Sequence, residues 1–108
     1  MPHPVKLTDA AAGDVGEIWG YIRQHDSQGT ADHVLTRLEE AFSSLSEHPS
    51  RGTYPKELLD LGLREFREIF FKPYRIIYRL QDDIVYVLAV ADGRRDMRNL
   101  LERRLLRI

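Results

Sequence analysis

Apolar residues recur at helical spacing through the first half of the chain. The first stripe predicts an amphipathic helix over about residues 9–24, and its members are Val15, Ile18, Trp19 and Ile22. Thr8 or Asp9 can cap the start of this helix, because each side chain carries an oxygen that accepts a backbone N–H.

A second stripe follows after a short turn that contains Gly29. It predicts a helix over about residues 30–47 that ends before Pro49, and its members are Ala31, Val34, Leu35, Leu38, Phe42 and Leu45. Two amphipathic helices joined by so short a turn should lie antiparallel, with both stripes facing one surface. Another layer must cover that surface.

From Leu63 the pattern becomes typical of strands. Three runs rich in Ile, Val, Phe and Tyr cover residues 63–71, 74–81 and 84–91, and their separators are Lys72-Pro73 and Asp82-Asp83. This pattern predicts an antiparallel meander of three strands. The segment before it, residues 49–62, holds two prolines and two glycines and predicts a loop with a helical turn at 56–61.

A short β-like stretch at residues 5–8 should join the same sheet through the helical crossover. The expected fold is therefore α+β, with a helix hairpin packed on a small, mainly antiparallel sheet in the order β-α-α-β-β-β, followed by a C-terminal helix. At 108 residues the chain has the size of one domain, residues 1–108.

Alternation assigns the side chains of these strands to faces. In the second meander strand, one set is Tyr74, Ile76, Tyr78 and Leu80, and the other is Arg75, Ile77 and Arg79. In the last strand both sets are mainly apolar, one being Ile84, Tyr86, Leu88 and Val90, the other Val85, Val87, Ala89 and Ala91. We therefore expect the last strand to lie inside the sheet and to be buried on both faces.

The C-terminal residues 94–108 follow a turn at Asp92-Gly93 and predict a basic amphipathic helix. Its apolar side carries Met97, Leu100, Leu101, Leu105 and Ile108. The favoured interpretation is that these residues pack on the outer face of the sheet. The alternative is a mobile or displaced helix that presents leucines and arginines to a partner.

The composition narrows the possible chemistry. The chain has no cysteine, which excludes disulfides, thiolate metal sites and a cysteine nucleophile and leaves the cytoplasm as the simplest location. No apolar run approaches the roughly 20 residues of a membrane helix, so no membrane association is expected. No Gly-rich phosphate loop or His-Glu metal spacing occurs, and neither a cofactor nor a metal is predicted.

The net charge of −1 hides an asymmetry between the two halves. Residues 1–63 carry 5 basic and 10 acidic groups, whereas residues 64–108 carry 11 basic and 7 acidic groups, and ten of those eleven are arginine. Arginine suits bidentate contacts to carboxylate or phosphate, so a partner should bind the second half. The alternative is local pairing with acids such as Glu65, Glu68 and Asp96.

Several segments together resemble a known family. They are Gly62-Leu-Arg-Glu-Phe, Lys72-Pro-Tyr-Arg-Ile-Ile-Tyr-Arg and Ile84-Val-Tyr-Val-Leu-Ala-Val-Ala-Asp-Gly-Arg-Arg-Asp, with Ala11, Asp14, Ile18 and Tyr21 in the first helix and Glu47-His48-Pro49 at the end of the second. As an ordered set they resemble the ParE/RelE toxin superfamily, in its ParE-like branch.

This resemblance implies a toxin of a type II toxin–antitoxin system. Its partner would be a cognate antitoxin, ParD-like or other, whose disordered segment wraps and neutralises it, and DNA would be contacted only through that complex. ParE-like members act on DNA gyrase, whereas RelE-like members cut messenger RNA in the ribosome. A third possibility is a protein of this fold that is no longer toxic and persists as a binding module.

Cleavage of RNA through its 2′-hydroxyl needs groups that transfer protons as well as cations that stabilise the phosphate. If the chain is a nuclease, Arg75, Arg79 and Arg95 would bind the phosphate and Tyr78 would carry a proton. RelE-like nucleases usually have a tyrosine near the C-terminus, and this chain has none after Tyr86. We therefore expect a gyrase-binding toxin in preference to an enzyme.

The residues expected to contact the antitoxin or the target combine cationic and apolar side chains of the second half. They are Arg67, Arg75, Arg79, Arg94, Arg95, Arg98, Leu101 and Leu105. An antitoxin that folds on binding would lay an amphipathic or extended segment with acidic residues across this surface.

Overall fold

The computed structural model describes residues 2–106 and confirms the α+β fold. In chain order the elements are β1 (Val5–Leu7), α1 (Asp9–His25), α2 (Gln28–Glu47), α3 (Lys56–Leu59), β2 (Arg67–Phe71), β3 (Tyr74–Gln81), β4 (Ile84–Asp92) and α4 (Met97–Leu101), which continues as a π-helical segment, Glu102–Leu106. Within the described residues, none of the helices is long and apolar enough to span a membrane.

Side-chain caps define the helix hairpin. The Thr8 hydroxyl accepts the Ala11 N–H at the start of α1, and the Ser27 hydroxyl accepts the Thr30 N–H at the start of α2. Each cap satisfies one of the amides that the first turn of a helix leaves without a partner. The cap at Ser27 begins α2 two residues earlier than the apolar stripe indicated, and the turn between the helices is correspondingly short.

The four strands form one sheet in the order β1-β4-β3-β2. β1 runs parallel to β4, and the other neighbouring pairs are antiparallel. The interior position predicted for the last strand is thus confirmed. On one face the sheet packs against the helix hairpin in a first core, which includes Leu38, Phe42, Leu45, Ile69, Ile76, Tyr78, Val85, Val87 and Val90.

The other face of the sheet carries a second core. It consists of Leu58, Phe66, Ile77, Ala89, Ala91, Met97, Leu100 and Leu101, with Leu63, Leu88 and Leu105 partly buried against it. The favoured packing of the C-terminal leucines on the outer face is therefore confirmed. The single helix expected over 94–108 is wrong at its start, because Asp96 caps α4 by accepting the Asn99 N–H. Residues 107–108 lie outside the described residues.

A β-bulge in β4 corrects the predicted faces of that strand. Ile77 lies opposite Ala89 while Tyr78 lies opposite Val87, so Leu88 has no opposite residue. An extra residue reverses the alternation beyond it. Val90 therefore faces the hairpin together with Val85 and Val87, whereas Ala89 and Ala91 face the second core.

The first meander strand is shorter than expected. It begins at Arg67 and not at Leu63, because Gly62 has a positive φ of 77° and the chain after it turns, so that Leu63 and Phe66 reach the second core. The β3–β4 turn at Asp82 and Asp83 is confirmed, with φ of 53° and 64°, values that aspartate tolerates better than most residues.

Candidate functional site

Arg75 lies between two carboxylates. Its Nε donates to Glu68 Oε1 at 2.7 Å, and its two terminal nitrogens donate to the Glu57 carboxylate at 2.9 and 2.7 Å. The bidentate bond from Arg75 holds the pKa of Glu57 at about 2, against its usual 4.5, and the same pairing raises the pKa of Arg75. Two carboxylates around one guanidinium leave this place with a net negative charge, which disfavours a phosphate.

The other two strand arginines also have local partners. Arg67 donates to the Gly52 carbonyl at 2.9 Å and to the Tyr54 hydroxyl at 3.2 Å, and its guanidinium lies 4.6 Å from the centre of the Tyr54 ring. Arg79 donates to Gln81 Oε1 at 2.8 Å and lies over the ring of Phe66. These contacts tie both side chains to the surface of their own domain.

Tyr78 is fully buried. Its hydroxyl donates to the Pro49 carbonyl at 2.6 Å and accepts the Gly52 N–H at 3.0 Å, and burial raises its pKa. The ring lies in the first core, on the opposite face of the sheet from Ile77. Arg75 and Arg79 alternate with Tyr78 along β3 and meet side chains of the outer face, so the structure does not bring these nuclease candidates together.

Three predicted arginines are exposed where β4 leads into α4. We call this cluster, Arg94, Arg95 and Arg98, the arginine turn. Arg94 pairs with Asp92 at 2.6 Å with 85% of its side chain exposed, and Arg98 contacts Asp60 at 3.2 Å. The bond from Arg94 lowers the pKa of Asp92 to about 2. Among residues 2–106, no ion pair engages the side chain of Arg95.

The two candidate leucines face the protein interior. Leu101 is fully buried in the second core, and Leu105 packs partly buried against the same cluster. Contact between either side chain and a partner would require the C-terminal segment to move away from the sheet.

Asp14 and Arg104 form a pair that was not among the expected site residues. Two nitrogens of Arg104 donate to the Asp14 carboxylate at 2.8 and 3.1 Å, and one of them also donates to the Leu88 carbonyl at 3.0 Å. Asp14 accepts the Val90 N–H as well, at 2.9 Å. The sequence signal for Asp14 is its place on the apolar side of α1, three residues after Ala11 and four before Ile18.

A groove of about 670 Å³ runs between α1 and the ends of β3 and β4. We call it the α1–β4 groove. Its walls carry apolar and aromatic side chains together with charged ones of both signs. The apolar and aromatic residues include Ile18, Tyr21, Ile22 and Tyr74, and the charged residues are Asp14, Glu17, Asp92, Arg94 and Arg95. Tyr21 is 64% exposed. In the described part of the chain, no three His, Asp or Glu side chains gather as a metal site would require.

Comparison with known proteins identifies relatives that match most of the chain. Residues 5–97 match the family described as "ParE toxin of type II toxin-antitoxin system, parDE". Toxin ParE3 of Caulobacter vibrioides is 30% identical over 90 residues, which are 83% of this chain and 86% of the relative.

Solved structures share the fold at lower identity. A toxin–antitoxin structure described as the chromosomal ParDE system of P. aeruginosa superposes with a TM-score of 0.71 at 17% identity, over 83% of this chain and 95% of that one. The Mycobacterium tuberculosis RelBE2 complex gives 0.61 at 24% identity, over 85% and 92%. An arginine mutant of E. coli toxin RelE in the free state gives 0.64 at 15% identity, over 100% and 99%.

Proposed function

This chain belongs to the ParE toxin family of type II toxin–antitoxin systems, and we propose that it acts by binding DNA gyrase and blocking its DNA cycle. A cognate antitoxin would neutralise it by covering the binding surface. Both events belong to the cytoplasm, where gyrase works on the chromosome. The proposal is of a binding protein and not of an enzyme.

The main support for this proposal is that Tyr78 lies on the opposite face of the sheet from Arg75 and Arg79, so these nuclease candidates do not form one site. Tyr78 is enclosed in the first core with both hydrogen-bonding capacities of its hydroxyl engaged, and Arg75 is held by Glu57 and Glu68. An RNA phosphate at Arg75 would have to displace two carboxylates and would gain no proton carrier from Tyr78. The same contacts do not hinder a protein that only binds.

The arginine turn is the part of the predicted surface that supports binding most directly. Arg94, Arg95 and Arg98 are exposed, while the strand arginines are engaged by neighbours within the fold. Exposed guanidiniums at the centre of an interface are frequent determinants of affinity. We therefore place the gyrase contact at the arginine turn, and the strand arginines support the surface around it.

The test is supercoiling of relaxed plasmid by gyrase with ATP and increasing amounts of the purified protein. The reaction is run with and without the antitoxin, and messenger RNA on ribosomes is incubated with the same protein preparation. Inhibited supercoiling or linearised DNA that the antitoxin reverses would support the proposal. Cleaved messenger RNA with unaffected gyrase would instead indicate a RelE-type endoribonuclease. No effect in either assay would indicate a non-toxic binding module.

A matched pair of variants locates the contact. The double change Arg94→Ala and Arg95→Ala should weaken inhibition by about tenfold or more, because removing interfacial charges slows association and loses contacts. Arg37→Ala changes a half-exposed arginine of α2 that is paired with Glu40 and lies outside the arginine turn, and it should leave inhibition unchanged. Equal inhibition by the double variant would remove the arginine turn from the proposed interface.

A further inference from the structure

The edge of β4 next to β1 is only partly covered. β1 pairs with Val85 to Val87, and the Thr8 N–H makes the last contact, to the Val87 carbonyl. The chain then leaves the sheet as α1. Beyond the bulge, side chains take over the role of a neighbouring strand, because Arg104 holds the Leu88 carbonyl and Asp14 holds the Val90 N–H.

Two further backbone groups on this edge, the Val90 carbonyl and the Asp92 N–H, face the α1–β4 groove. Ala91 pairs with Arg75 in the ladder to β3, and the Gly93 N–H bonds the Pro73 carbonyl. In an antiparallel ladder, successive residues direct their N–H and C=O alternately to the two sides. The Val90 carbonyl and the Asp92 N–H therefore point the same way as the Val90 N–H, away from β3 and toward the groove.

We propose that the α1–β4 groove binds an extended segment of the antitoxin, which continues the parallel pairing that β1 begins. One residue of the segment donates its N–H to the Val90 carbonyl and accepts the Asp92 N–H, the pattern of a parallel strand. This inference rests on the proposed function for its partner, since it assigns the antitoxin a place on the toxin. It is independent of gyrase as the target.

The orientation follows from which groups are occupied. An antiparallel segment would exchange both bonds with a single residue of β4, but the Val90 N–H is held by Asp14 and the Asp92 carbonyl accepts the Arg95 N–H. A parallel segment uses only the Val90 carbonyl and the Asp92 N–H. It runs toward the arginine turn, as β4 does.

The walls of the groove define the side chains of the segment. Ile18, Tyr21 and Tyr74 line one part of it and fit an apolar side chain, which would bury the exposed ring of Tyr21. Farther along, Arg95 lines the groove without an ion pair in the described residues and fits a carboxylate, because Asp92 and Asp14 in the same wall are already paired with Arg94 and Arg104. The segment we expect is therefore extended, with an apolar residue followed by an acidic one.

The first test is amide hydrogen exchange of the unmodified protein, measured by NMR with and without the full-length antitoxin. The Asp92 N–H should exchange rapidly in the free toxin and at least about tenfold more slowly in the complex, because it gains a hydrogen bond and loses contact with water. The Gly93 N–H, already bonded to Pro73, is the internal control and should change little. An Asp92 N–H that exchanges equally fast in a tight complex would overturn the inference.

Variants provide the second test. Asp92→Pro removes the donor, whereas Asp92→Ala keeps it and loses only the carboxylate. We expect Asp92→Pro to weaken antitoxin binding by about tenfold relative to Asp92→Ala, the effect of one lost hydrogen bond. Arg95→Glu should weaken binding more than Arg103→Glu, which changes an exposed charge outside the α1–β4 groove. Equal affinities within both pairs would overturn the inference.

The two proposals fail in different ways. If the antitoxin protects the Asp92 N–H but the toxin leaves gyrase active, the docking site stands and gyrase is not the target. If the toxin inhibits gyrase but the bound antitoxin leaves the Asp92 N–H unprotected, gyrase stands as the target and the proposed docking site is wrong. A protein that does not bind the antitoxin at all would overturn the inference together with the antitoxin part of the proposed function.

Discussion

The ion pair between Asp14 and Arg104 should contribute measurably to stability, and a double-mutant cycle can test this. The side chains are 9% and 24% exposed. Breaking a buried pair by removing one partner costs about 3–5 kcal/mol, and the partial exposure of Arg104 reduces this to about 2–3 kcal/mol for Arg104→Met. Asp14→Asn retains an acceptor for the Val90 N–H, and we expect a smaller loss of about 1–2 kcal/mol.

The two losses should not add in the double variant, because each single change already breaks the same pair. We expect a coupling free energy of about 1–2 kcal/mol. Urea unfolding followed by the fluorescence of Trp19 measures the four free energies of unfolding, and Arg103→Met, an exposed neighbour, should change stability by less than about 0.5 kcal/mol. A coupling below about 0.5 kcal/mol, the value of an exposed pair, would refute the assignment of a structural role.

Three further changes probe other contacts. Tyr78→Phe deprives the buried Gly52 N–H and the half-buried Pro49 carbonyl of their hydroxyl partner and should cost about 1–3 kcal/mol in urea unfolding. An unchanged midpoint would contradict these hydrogen bonds. Leu101→Ala should cost about 2–5 kcal/mol, against less than about 0.5 kcal/mol for the exposed Leu80→Ala; similar losses would mean that the outer face is not packed as described. Arg75 lowers the pKa of Glu57 to about 2, so the ionised carboxylate stabilises the fold above its usual pKa of 4.5, and this stabilisation is lost as the pH falls toward 2. Glu57→Gln should therefore reduce the acid-induced loss of stability between about pH 5 and 2. An identical pH profile of the variant and the unmodified protein would count against the pair.

The order of elements could be predicted because the periodicity of apolar residues changes clearly at the boundary between helices and sheet. The faces of β4 could not. Both alternating sets of that strand are apolar, so an extra residue at Leu88 leaves no trace in the pattern. The predicted start of β2 is wrong for a related reason. Leu63 and Phe66 are apolar because they pack on the second core from a loop, and their pattern resembles the start of a strand.

The arginines show the same limit for the candidate site. Their number and position in the second half were evident from the sequence, but their availability depends on distant acids. Glu57 lies 18 residues before Arg75, and Asp14 lies 90 residues before Arg104. Glu68 is one of the local acids that the sequence offers, and it does pair with Arg75. Nothing in the spacing indicates that Glu57 is the second carboxylate partner of Arg75.

The bulge at Leu88 links the packing of the C-terminal segment to the sheet. By reversing the alternation it lets β4 supply Val87 and Val90 to one core and Ala89 to the other. The unpaired backbone that this leaves must find hydrogen bonds in a largely buried setting. Arg104 supplies one of them, to the Leu88 carbonyl, and is fixed there by Asp14. Displacing the C-terminal segment would therefore uncover the second core and break this pair together, so the segment should leave the sheet only when a partner replaces both contacts.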